Sequence, residues 1–164
     1  MSYQTKKTIT SMISGVLILA AYCIYAFGKY NSGSVAQGDL KFWAQTMLVF
    51  IGIGIGVTIV LQIIFHIALS IGIAIKDRDC DDKEISRKVE ATVIEDEMDK
   101  LIELKSLRVG FIVAGVGFVW ALIVMAMGYS IVLAINIMFL SFQIGSLMEG
   151  ISSLYFYGKG VRNG

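Results

Sequence analysis

Between Lys41 and Lys76 the chain runs for 34 residues, "FWAQTMLVFIGIGIGVTIVLQIIFHIALSIGIAI", without one Asp, Glu, Lys or Arg. Nothing else in the sequence restricts the fold so severely. As a helix this block would reach roughly 50 Å, against about 30 Å of hydrocarbon in a bilayer. It must therefore tilt, project beyond the lipid, or both. Three further apolar blocks are near or above the roughly 20 residues that a crossing needs. The predicted spans are about 8–28, 42–72, 108–128 and 131–156. A closed barrel is excluded, because its strands would be about ten residues of alternating polarity. The absence of proline from the 164 residues argues for straight helices. The expected fold class is all-α: a single integral membrane domain built as a four-helix bundle.

The first span, with Lys6 and Lys7 ahead of it, has the outline of a cleaved signal. No small-x-small site follows, and Tyr22 stands directly before Cys23 where a lipoprotein signal needs a small residue, so a retained helix is expected. Lys and Arg counts set the orientation. Lys6 and Lys7, eight basic residues in the central connection, and Lys159 with Arg162 predict cytoplasmic termini and a cytoplasmic connection. The 29–41 loop, with only Lys29 and Lys41, and the "MGYS" turn at Met127–Ser130 are predicted outside. Tyr22, Tyr25, Tyr30, Trp43 and Tyr129 suit an outer aromatic belt, and Tyr155 and Tyr157 an inner one.

Only 16% of the residues are charged, where soluble domains carry about a quarter, and that charge is concentrated. Residues 76–108 hold eight of the fourteen Lys/Arg and eleven of the thirteen Asp/Glu. Asp77, Asp79 and Asp81 start like a calcium loop, but Asp82 replaces the required glycine and Lys88 the closing glutamate, so a solvated turn is the better reading. From Glu84 the pattern turns helical. Ile85, Val89 and Val93 share one face, and Glu84 and Lys88 form a favourably oriented pair. Asp96 can cap a second helix, with acidic residues crowding its positive end. That helix can run unbroken to about Gly128. A helical hairpin over 76–107, projecting into the cytoplasm, is the expectation. Its candidate partner-binding residues are Glu84, Lys88, Asp96, Glu97, Asp99 and Lys100, then Glu103, Lys105 and Arg108. The acidic excess disfavours direct nucleic-acid binding, because phosphates would be repelled.

The stretch "DEMDKLIELKSLRVGF" resembles the "DERDxxIxxKAxR" signature of small four-span bacterial membrane proteins of unknown function, often encoded beside a short helix-turn-helix repressor. Asp96, Glu97, Asp99, Lys100, Ile102, Lys105 and Arg108 carry the likeness, and Met98 departs from it where the signature has arginine. It covers about 20 residues and the four-span layout. The resemblance implies a cell-membrane protein with a soluble partner such as a small transcriptional repressor.

Ionisable groups inside spans mark functional or packing sites. His66 precedes Lys76 by ten residues and Glu149 precedes Lys159 by ten, which predicts a shared depth and permits contact between neighbouring helices. Gln62 lies one turn from His66, and Gln143 and Asn136 extend the polar side of the fourth span. These groups read either as interhelical hydrogen bonds or as a proton- or cation-responsive pair. They are too few for a metal site, and Cys23 and Cys80 fall on different levels, so neither a disulfide, a metal nor a cofactor is expected. Small residues at four-residue spacing are candidate helix-packing contacts: Gly52 with Gly56, Gly110 with Ala114, Gly117 with Ala121, and Ser146 with Gly150. They suit either the bundle core or a homodimer interface. "GIGIG" is no nucleotide loop, since no strand precedes it and no lysine follows.

No nucleophile has catalytic company, so an enzyme is not expected. Three readings follow. One is a regulatory or immunity-type membrane protein whose cytoplasmic hairpin binds a soluble partner. Another is a small homodimeric transporter or channel using His66 and Glu149. The last is a scaffold or accessory subunit of a membrane complex.

Overall fold

A computed structural model describes residues 3–33, 38–76 and 97–159. Among these residues the chain is all-helical, with four helices: α1, Tyr3–Asn31; α2, Leu40–Lys76; α3, Glu97–Ala126; and α4, Ile131–Lys159. All four are long and apolar enough to cross a membrane. Each predicted span falls on one of them, although α3 starts eleven residues ahead of its predicted span. The charged run from Glu97 is continuous with the apolar run after Arg108. The remainder of the proposed hairpin, residues 77–96 with Glu84, Lys88 and Asp96, lies outside the described residues.

Local chemistry fixes the helix ends. The Asp39 carboxylate accepts the Phe42 N–H at 3.0 Å, and the Ser130 hydroxyl accepts the Leu133 N–H at 3.2 Å, each capping a helix start. Glu97 and Asp99 occupy the first turn of α3, where the positive end of the helix dipole favours them. At its far end α3 stops at Gly128, whose φ is 83°. Tyr129 N–H reaches Val124 O at 3.2 Å and Gly128 N–H reaches Met125 O at 3.0 Å, the paired bonds of a Schellman motif. The "MGYS" turn therefore joins α3 to an antiparallel α4.

Helix α4 touches all three other helices, with α3 as its most extensive neighbour, then α1, and α2 least. The α3–α4 seam is built from small side chains. Ser106, Gly110, Ala114, Gly117 and Ala121 are buried on α3, and Ala134 and Gly145 on α4. The backbones come very close: a Cβ added at Gly145 would lie 2.7 Å from Gly110 O, and one at Gly110 would lie 2.9 Å from Gly145 O. A Cβ at Gly117 would overlap the Ser141 side chain. Against α1, Gly150 faces Met12 and Gly15 faces Leu147. In lipid, where apolarity draws helices together no more than it draws them to acyl chains, such shape matching supplies the attraction.

The most completely buried aromatic side chain belongs to Tyr22, only 1% exposed. It packs between Phe50 of α2 and Phe139 of α4, with ring centroids at 5.3 and 4.5 Å. Its hydroxyl donates to Asn136 Oδ1 at 2.6 Å, and Asn136 Nδ2 donates to Val132 O at 2.8 Å. Trp43, Met47, Ala26 and Val132 complete this core. Tyr22 and Trp43, expected in an outer aromatic belt, are both buried between helices; for Tyr22 the interhelical acceptor on Asn136 favours that position for its phenol. Tyr25, Tyr30 and Tyr129 are exposed.

Helix α2 is held only along part of its length. Tyr3, at the described start of α1, meets Phe65 at 6.0 Å, so residues 66–76 of α2 overrun the end of α1 by roughly 16 Å. Gly52 and Gly56 face open space, with nothing within 4 Å of an added Cβ. The strongest small-residue motif in the sequence is therefore not used in contacts within the described chain.

Candidate functional site: a polar cavity at the charged end

The lower turns of three helices converge at one end of the bundle, which carries Lys6 and Lys7 on α1, Glu97 to Arg108 on α3 and Lys159 on α4. Between α1, α3 and α4 they leave a cavity of about 270 Å³. Gln4, Lys7, Thr8, Ser11 and Gly15 line it from α1, all on one face because they fall three or four residues apart. From α3 come Asp99, Glu103 and Ser106, and from α4 Gln143, Ser146, Glu149, Ser153 and Tyr157.

One hydrogen bond pins the cavity's base: Tyr157 Oη donates to Asp99 Oδ1 at 2.9 Å. The first turns of α3 therefore do not stand alone as a projecting arm. They lie along the last turns of α4, with Ile102 and Ser106 buried in the contact. Higher up, Glu149 sits beside Gly110, whose added Cβ would be 3.1 Å from Glu149 Cβ and 3.4 Å from Glu149 Oε2. The missing side chain of Gly110 makes the room for this carboxylate. Among the described residues neither Glu103 nor Glu149 has an ion-pair partner, although both face the cavity and repel each other.

Among the described residues Ser106 Oγ is the one fully buried side-chain oxygen without a hydrogen-bond partner, and five other helical hydroxyls show the usual alternative. Thr8, Ser14, Thr58, Ser70 and Ser141 each donate to the carbonyl four residues earlier, at 2.6–3.0 Å, the usual way a helix satisfies them. Ser106 is 1% exposed, lines the cavity, and its Oγ has no hydrogen-bond partner.

His66 and Glu149 are not brought together. Glu149 neighbours Gly110 and, through Gly150, Met12, whereas His66 follows Phe65 at the level of Tyr3, nine residues or about 13 Å from Met12 along α1. His66 is exposed, does not line the cavity, and its own carbonyl accepts Ser70 Oγ at 2.9 Å. The shared depth expected from counting back to Lys76 fails because α2 overruns the bundle. Gln62 and Gln143 both line a second cavity of about 390 Å³ between α1, α2 and α4, which shares Ser11, Gly15, Gln143 and Ser146 with the first. Asn136 belongs to the Tyr22 core instead.

Of the residues proposed to bind a partner, Glu97, Lys100, Glu103 and Arg108 are exposed, and Asp99 and Lys105 half-buried. Ser146 is exposed towards the two cavities and Gly150 takes Met12. Among the described residues no group of three or more His, Cys, Asp or Glu is arranged to hold a metal ion. Sequence reasoning missed Ser106, Lys7 and the polar face of α1. The i, i+3, i+4 spacing of Gln4, Lys7, Thr8 and Ser11 was the available signal.

Fold and cavity together define, among the described residues, four helices long and apolar enough to cross a membrane, with a polar chamber at their ionic end. Comparison with protein-family models, with curated proteins and with solved structures finds no match.

Proposed function

We propose that the chain is a multi-pass cell-membrane protein of regulatory or immunity type, with both termini and the 77–96 connection in the cytoplasm. Its ionic end docks a soluble protein, of the kind of a short helix-turn-helix repressor. The Lys and Arg distribution supports the orientation. The observation that carries the reading is the division of α3. Its first three turns are charged and clamped along α4 by the Asp99–Tyr157 bond, while Glu97, Lys100 and Arg108 point outward. A rigid display of both charge signs suits recognition of a protein surface, since little ordering entropy remains to be lost. The likeness of Asp96–Arg108 to the signature of repressor-linked membrane proteins supports the same partner class.

The test is co-purification of the tagged protein with a helix-turn-helix protein encoded beside it, for wild type and for a Glu97→Lys/Lys100→Glu/Arg108→Glu variant. These side chains lie outside the seam, so the fold persists. Loss of the partner in the variant supports the reading, and unchanged recovery sinks it.

The two adjoining cavities on either side of the α1–α4 contact favour a second reading, a small transporter that uses Glu149 without His66. Cation flux into liposomes that is unaltered by Glu149→Gln removes it.

A further inference from the structure

We propose that the cavity between α1, α3 and α4 is a binding site for a small linear polyamine, held along a ladder of carboxylates with the Ser106 hydroxyl between them. This goes beyond the docking reading and does not depend on it.

The ladder follows from helix geometry. Asp99 and Glu103 are one turn apart on α3, about 6 Å; Ser106 is about 4.5 Å further, and Gly110, which seats Glu149, another 6 Å. Acceptors thus recur along roughly 16 Å of one channel wall. The formal charge of the lining is three carboxylates against Lys7, an excess of two negatives. A ligand with two or more ammonium groups spaced along a flexible chain complements both the charge and its spacing.

Other cations fit less well. A bare metal ion needs convergent ligands, and no metal-holding group exists among the described residues. The volume, about nine times a water molecule's share of liquid, is also too large for one. A bulky aromatic cation would want apolar or aromatic walls, yet Tyr157 is the single aromatic side chain here and its hydroxyl is committed to Asp99.

Ser106 supplies the independent sign of a ligand. A buried hydroxyl without a partner carries a desolvation penalty that a helix ordinarily avoids by bonding to its own backbone. Here, among the described residues, the hydroxyl stays without a partner on the wall of a cavity, with the Glu103 and Glu149 carboxylates, which have no ion-pair partner there either, above and below it. One ammonium group donating to Ser106 Oγ, with the other N–H groups of the chain reaching Glu103 and Glu149, would satisfy all three. Lys7, opposite, sets the charge balance and limits how many positive groups can enter.

The test uses the full chain in nanodiscs of zwitterionic phosphatidylcholine, which denies the probe anionic lipid. Spermidine is titrated by calorimetry, with triethylene glycol as a neutral chain of similar length and magnesium chloride as a competitor. Saturable one-to-one binding of spermidine is expected, with none of the glycol. Glu149→Gln and Ser106→Ala should each weaken it by about tenfold, the scale of one hydrogen bond to a charged group. Lys7→Gln should tighten it. Ser106→Ala removes only an unpaired hydroxyl, so it keeps the question open to refutation even if Glu149→Gln fails to fold. Spermidine binding no better than the glycol, binding indifferent to both Ser106→Ala and Glu149→Gln, or full competition by magnesium at equal charge would each overturn the assignment.

Discussion

Replacing Gly145 by alanine adds a single methyl group at the tightest point of the bundle. Its Cβ would stand 2.7 Å from Gly110 O and 3.5 Å from Gly110 C, with Ala114 Cβ at 3.6 Å. An ordinary carbon–oxygen contact needs about 0.6 Å more than the first of these, and Gly110 O is backbone, so the α3–α4 seam must open. Overpacking of this kind costs typically 1–3 kcal/mol, and the better helix propensity of alanine offsets less than about 1 kcal/mol of it. We expect a net loss of about 1–2 kcal/mol, a five- to thirtyfold shift in the unfolding equilibrium. The assay is reversible unfolding in mixed micelles followed by tryptophan fluorescence, since Trp120 lies on α3 and Trp43 in the core. Gly56→Ala, where an added Cβ meets nothing within 4 Å, is the internal control and should be neutral or slightly stabilising. Gly110→Ala opens the same contact from the other side, so the double variant Gly110→Ala/Gly145→Ala should lose less than the sum of the two singles. Gly145→Ala as stable as wild type, or Gly56→Ala the more damaging of the two, would refute the idea that backbone proximity holds α3 to α4.

Tyr22→Phe deletes the donor to Asn136 Oδ1 within the buried core and should destabilise by about 0.5–2 kcal/mol, read in the same unfolding assay. Gly128→Ala forces a Cβ into the left-handed conformation that closes α3, and we expect a loss of about 1–2 kcal/mol with no change in helix content by circular dichroism. Ser106→Ala should leave stability unchanged or raise it by up to about 1 kcal/mol, because it removes a buried hydroxyl that bonds to nothing; a loss above that amount would mean the hydroxyl has a partner in solution.

The four helices and the turn between α3 and α4 were legible because long uncharged runs and a glycine after an apolar block leave few alternatives. Which faces meet was not legible. In oil, hydropathy marks no side of a helix as inner or outer, so "IGIGIG" suited a core seam that the described chain does not make, while the quieter Gly110, Ala114 and Gly117 form one. Depth was misread for a related reason. Counting from helix ends assumes flush ends, but α2 runs past α1, which separates His66 from Glu149. Arg108, two residues before the Gly110 that seats Glu149, brings the ionic part of α3 nearly level with that carboxylate. Residues 109–126 of α3 and 131–148 of α4 are then the uncharged stretches, about 27 Å each, close to the hydrocarbon thickness. Ser106 went unnoticed because it sits within a charge-dense run where a serine attracts no attention, and its meaning depends on Glu149, 43 residues away.

The connectivity of contacts also constrains biogenesis. Helices α1 and α2 hold each other, whereas α3 has α4 as its substantial neighbour. A chain of this kind made helix by helix into a bilayer would leave α3 without its mate until α4 follows, its glycine-notched flank covered only by acyl chains. Nascent chains halted before Ile131 should therefore be the point at which quality-control proteases find this protein most vulnerable.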